Sequence, residues 1–245
     1  MGMTAGKPSK NQSAALLLYQ LKRLEQVRLK QGGGELDPAM WLLKRWQSER
    51  LARTHADLLA NPRYRLAGGY FLSDIYGDKD FSQRDHDLER AYPIMIRTMP
   101  TGVLHTVAMA VELNALSWEL DTELLRILLE EFGLTESLDE ATYVSAYRFC
   151  DNYDRRLHQI ELIQTLGHDL SKAVRNPFIY GALLLARAPA YLAGFSNLHE
   201  FIESGFRAFR HLGDPTEFLT TIASRERYIL DRIYAAHPQP FTLAD

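Results

Sequence analysis

Apolar residues recur along this chain at helical rather than alternating spacing. Leu17, Leu21 and Leu24 fall four and three apart and predict a first helix over about 14–31. Gly32, Gly33 and Gly34 end it, because each glycine costs about 1 kcal/mol in a helix relative to alanine. Asp37 before Pro38 is a cap followed by a favoured first residue, and opens a helix through Trp41, Leu42, Trp46, Leu51 and Leu58. Asn61-Pro62 repeats that start and leads through Tyr70, Phe71 and Ile75 to Gly77. Ser82 with Asp85 resembles a capping box, and Pro93 should kink the helix over about 83–98. Val103, Leu104, Val107, Ala108 and Val111 begin a strong helix to Leu120, where Asp121 recaps it and Gly133 ends the segment. Ser137 with Glu140 opens a long helix over about 138–172. Asn176-Pro177 starts shorter helices broken at Pro189 and Gly194. Phe201, Phe206 and Phe209 share a helix that ends near Gly213, and Asp214-Pro215-Thr216-Glu217 caps the last one, about 215–236.

No run alternates as a strand would, and no repeat recurs at a fixed period. The pattern predicts an all-α fold: one globular bundle of about nine to ten helices, preceded by an N-terminal helix hinged at the glycines. Residues 1–13 read as a flexible leader, 14–34 as the first helix and hinge, 35–236 as the domain, and 237–245 as a loose tail.

Composition agrees. The chain has 38 Leu against 17 Ile plus Val, which favours helices over strands. Lys plus Arg number 28 and Asp plus Glu 31, a near-balance that argues against a polybasic nucleic-acid binder. One cysteine, Cys150, excludes an internal disulfide and any multi-cysteine zinc site, and suits a reducing cytoplasm. The first residues lack the apolar segment of a secretory signal.

The stretch Tyr70-Phe71-Leu72-Ser73-Asp74-Ile75-Tyr76-Gly77, followed by Asp80-Phe81-Ser82-Gln83-Arg84-Asp85, resembles a bacterial family named for its FFLEELY motif. Arg187-Ala188-Pro189-Ala190 and Gly205-Phe206-Arg207-Ala208-Phe209-Arg210 are similar to it as well. Tyr70 replaces the first Phe, and Ser73-Asp74-Ile75 replace Glu-Glu-Leu. The resemblance, over about 40–236, implies a bacterial protein and transfers no catalytic residue.

Several constellations could carry chemistry. Asp78, Asp80, Arg84, Asp85, Asp87, Glu89 and Arg90 crowd one segment. Asp78, Asp80, Ser82 and Glu89 fit positions one, three, five and twelve of a calcium loop, but Gln83 stands where its glycine is needed. Helix capping and ion pairing explain the cluster better. Gly167-His168-Asp169 resembles the His-Asp core of the HD phosphohydrolases, helical enzymes that hold a metal on such a pair. That alternative needs an earlier His, with His158 or His105 available, and a later Asp, with Asp214 or Asp231 available. His105, flanked by apolar residues, permits a haem- or small-ligand-binding alternative.

The run Phe178 to Phe195 carries a single charge, Arg187. Pro189 and the mid-run charge argue against a membrane span, so two short core helices are expected. Arg187 would then be buried and need a carboxylate or carbonyl partner, as a structural anchor or an anion receptor. Tyr64, Tyr70, Tyr76 and Phe81 with Trp41, Trp46 and Trp118 form an aromatic set that suits core burial or a binding surface.

No Gly-x-Ser-x-Gly elbow, phosphate loop, dinucleotide glycine pattern or His-Glu-x-x-His occurs, and Asp151 beside Cys150 disfavours a nucleophilic thiol. The expectation is a non-enzymatic cytoplasmic protein acting through protein contacts, with a protein partner or as a homo-oligomer, without cofactor, nucleic acid or membrane. Candidate binding residues are Tyr70, Tyr76, Asp80, Phe81, Arg84, Asp85 and Arg187. His168 and Asp169 belong to the metal-dependent alternative.

Overall fold

A computed structural model describes residues 8–30, 37–75 and 82–243. Among them lie α1 (Lys10–Lys30), α2 (Pro38–Thr54), α3 (Ala56–Ala60), α4 (Arg65–Tyr70), a π-helical turn (Phe71–Ile75), α5 (Ser82–Thr98), α6 (Thr101–Glu130), α7 (Glu140–Phe149), α8 (Tyr153–Arg175), α9 (Pro177–Leu185), α10 (Arg187–Leu192), α11 (Ser196–Leu212) and α12 (Thr216–Tyr234). No strand occurs among the described residues. The chain is one globular all-α domain, with twelve α-helices among the described residues.

The 30-residue α6 is the axis. Its apolar positions run all round, so it is buried by neighbours on several sides. One core joins it to α1, α2, α5 and α7 through Leu17, Leu24, Leu43, Leu104, Leu124, Leu128 and Tyr143. A second core joins α3, α4, α8, α11 and α12 through Leu58, Tyr64, Phe206, Phe209, Phe218 and Leu219. Met109, Leu113, Leu116 and Leu120 of α6 meet Leu162 of α8 between the two. The helix α1 is docked along α6 by Leu17, Leu21, Leu24 and Val27, and Arg23 Nη2 donates to Glu119 Oε2 at 2.6 Å. The hinge glycines 32–34 lie outside the described residues.

Three departures from the sequence reading have local causes. The long helix expected over 138–172 is split: Asp151 takes φ +48° and Asn152 begins α8. The N-cap before α7 is Asp139 rather than Ser137, since the Thr142 N–H donates to Asp139 Oδ1 at 2.8 Å. The break expected at Asp121 is absent, because Lys44 and Gln47 of α2 hold that carboxylate at 3.1 and 3.0 Å and α6 runs on. The described part of the C-terminal tail has packing contacts. Pro240 is buried, Phe241 lies against Trp46 and Tyr143, and Arg232 holds the Gln239 carbonyl at 2.6 Å.

Candidate functional site

The segment between α8 and α11 folds as a short helical hairpin. Asn176 Oδ1 accepts the Phe178 N–H at 3.0 Å and Pro177 occupies the first turn of α9, a standard start. The chain restarts at Arg187, so Pro189 falls in the first turn of α10, where its missing N–H costs no helical bond. Gly194 takes φ +77° and the Phe195 N–H reaches the Ala190 carbonyl at 2.8 Å, closing α10 with a left-handed cap.

One side of the hairpin rests on the second core through Ile179, Tyr180 and Leu183, and the Arg210 guanidinium lies 4.1 Å over the Tyr180 ring. The other side faces water. Phe178 is 86% exposed, Leu185 82% and Leu192 90%, while Leu184 and Tyr191 are nearly half exposed. No residue of α9 or α10 is buried. The expected pair of core helices is therefore corrected. Two helices form, with their break at Ala186, but they lie on the surface: among the described residues α9 packs on α8 and α10 on α11, and Arg90 of α5 reaches the Ala193 carbonyl. Arg187 is corrected with them. It is exposed rather than buried, and lies 5.9 Å from the Tyr191 ring centre. The Tyr191 hydroxyl donates to Glu200 Oε1, which pushes its pKa up. Apart from Arg187, the whole run from Phe178 to Phe195 carries no charge.

The remaining sequence candidates fall elsewhere. Tyr70 is buried, its ring beside Phe71 and Phe201, and its hydroxyl fills the space that a Cβ on Gly205 would enter at 2.8 Å. Arg84 and Asp85 form a buried pair at 3.1 Å. Asn114 donates to Asp85 Oδ2 at 3.1 Å, and the Arg84 guanidinium lies 4.6 Å over the Phe201 ring. Burial pushes the Asp85 carboxyl up against the pull of Arg84. These three residues tie α4, α5, α6 and α11 together inside the fold rather than presenting a surface. Tyr76, Asp78, Asp80 and Phe81 lie outside the described residues.

His168 is half-buried near the C-terminal end of α8, and Lys172 engages Asp169 at 2.9 Å. His158 pairs instead with Glu112 at 3.0 Å. Among the described residues no three His, Cys, Asp or Glu side chains converge as a metal ion needs. His105 is half-buried in α6. Burial pushes the Cys150 thiol up to about 11, which removes it from thiolate chemistry near neutral pH. Sequence reasoning missed Phe178, Leu185 and Leu192 as surface residues. Their available signal was the near-absence of charge over a run too short and too interrupted to span a membrane.

Residues 10–240 match a family described as a domain of unknown function, DUF8198, and the chain belongs to that family. No curated protein and no solved structure matches it. Among the described residues no helix is long and apolar enough to cross a membrane.

Proposed function

We propose that this member of the DUF8198 family is a non-enzymatic helical protein that works through protein contacts. Its first partner is a second copy of the chain, docked on the outer face of α9 and α10. The observation that carries the reading is the exposure of Phe178, Leu185 and Leu192 on one hairpin whose single charge is Arg187. With Leu184 and Tyr191 they present on the order of 600 Å² of apolar surface, the upper end for a monomer's largest patch. Two such faces together remove about 1,200 Å² from water, the lower bound for a stable interface. The similarity of residues 70–77 to bacterial FFLEELY-motif proteins, and the lone cysteine, support a bacterial cytoplasm as the setting.

Sedimentation equilibrium on the full chain tests this, with Leu185→Glu/Leu192→Glu as the comparison. The expected result is a dimer that the double variant converts to a monomer of unchanged helicity, since both side chains already face water. A wild-type chain that stays monomeric at about 100 μM, well above the Kd of a functional contact of this size, refutes self-association. A dimer that survives the double substitution refutes the assignment to this face.

A further inference from the structure

A cavity of about 110 Å³ is bounded by α2, α3, the π-helical turn, α6, α7, α8 and α12. That is room for roughly eight water molecules, or one organic molecule of fewer than about ten non-hydrogen atoms. Its wall has two chemistries. Leu58, Leu59, Phe71, Ile163, Phe218 and Ile222 make one part apolar. Arg50, Arg156, His55, Glu226, Asp121 and the phenols of Tyr143 and Tyr147 make the other part polar.

The two arginines are not equivalent. Arg50 Nη1 donates to both oxygens of Glu226 at 2.6 and 2.7 Å, and His55 Nε2 meets the same carboxylate at 2.9 Å. Arg156 is only 4% exposed, yet among the described residues no carboxylate lies within ion-pair distance of it. Its polar contacts are long: Nη2 to the Leu120 carbonyl at 3.3 Å and Nε to Asn152 Oδ1 at 3.4 Å. Its guanidinium also lies 4.3 Å over the Tyr147 ring. Asp121, whose charge acts on Arg156, is already held by Lys44 and Gln47. Of the carboxylates that line this space, Glu226 is committed to Arg50 and Asp121 to Lys44, so Arg156 has none of its own in ion-pair range. A buried guanidinium without a counter-ion is costly, and its planar fork matches a carboxylate. On the same wall, His55 Nδ1 and Arg50 Nε are buried without a protein partner.

We propose that this cavity binds a small monocarboxylate with an apolar body, its carboxylate on Arg156 and its body against the Leu59, Phe71, Ile163 and Ile222 side. A π-helical turn in the wall is in keeping with such a role, since single π-turns are frequent at functional sites. An outer cavity of about 300 Å³ is bounded by Arg53, Thr54, Glu140 and Leu243, and shares Arg50 and Phe241 with the inner one. Phe241, carried by the C-terminal segment, and Arg50 thus border both spaces.

Isothermal titration of the full chain with hexanoate, benzoate, hexan-1-ol and inorganic phosphate tests the assignment. Trp46 fluorescence is a second readout, because its ring stacks 3.9 Å from that of Tyr143 in the cavity wall. The expected result is saturable one-to-one binding of hexanoate or benzoate, with neither the alcohol nor phosphate bound. Arg156→Met should weaken that binding at least tenfold. Ile163→Phe, which fills the apolar end and keeps every charge, should abolish it. Absence of binding by both carboxylates overturns the proposal. Equal binding of phosphate, or carboxylate binding indifferent to Ile163→Phe, overturns it too, because either places the anion elsewhere.

Discussion

Replacing Glu226 by Gln removes one charge and almost no volume at the most connected carboxylate of the interior. Burial by itself would raise the pKa of Glu226, but the charge of Arg50 and the hydrogen bond from His55 hold it down at about 2. Against the ordinary 4.5 this difference corresponds to about 3 kcal/mol of folding stability near neutral pH. The loss expected from stranding Arg50 without its partner is about 3–5 kcal/mol, so two independent routes agree. The folded-state pKa is depressed, so this stability is complete above the unfolded pKa and is lost as pH falls from about 4.5 toward 2. Glu226→Gln should lower the melting temperature by about 6–12 °C at neutral pH, followed by circular dichroism. Near pH 3 the gap between the two proteins should shrink by about 2 kcal/mol, because the wild-type group is by then losing its advantage. A loss under about 1 kcal/mol at neutral pH, or a gap that stays constant down to pH 3, refutes the ion-pair reasoning.

Two further outcomes follow from packing and capping. Gly167 is the point where α8 meets α12, and a Cβ there would stand 2.5 and 2.6 Å from the methyls of Leu219, which is buried. Gly167→Val should therefore cost about 1–3 kcal/mol in urea unfolding, with part regained when Leu219 is also shortened to Ala. Asp139→Ala should cost about 1 kcal/mol as the Thr142 N–H loses its acceptor, whereas Ser137→Ala should leave the unfolding midpoint in place.

Much of the secondary structure was legible because its causes are local. The Asp37-Pro38, Asn176-Pro177 and Asp214-Pro215 starts are all observed where a side-chain oxygen meets an N–H two residues on. The spacing of Leu17, Leu21 and Leu24 likewise marked the stripe that α1 buries on α6. Capping and periodicity act within one or two turns, so the sequence states them directly. The split between α7 and α8 was less legible, since a left-handed Asp151 is one allowed conformation among several and neighbouring packing selects it.

What the order of residues could not decide was which faces found partners. The run Phe178 to Phe195 is as apolar as a core, and its hydropathy records only a preference for leaving water. Whether it leaves water depends on whether another element arrives above it, and among the described residues its main packing is on α8 and α11. Arg187 departs from its expected buried place for the same reason, and Arg156, for which the sequence suggested no place, is buried. The arginine in the apolar run lies exposed, while the one in the polar stretch of α8 is sealed by α6, α7 and α12. The sequence by itself determined an all-helical chain, its main starts and the stripe of α1. Only the tertiary structure decided which charges are buried and which apolar face is open, because burial belongs to the assembled neighbours and not to any residue alone.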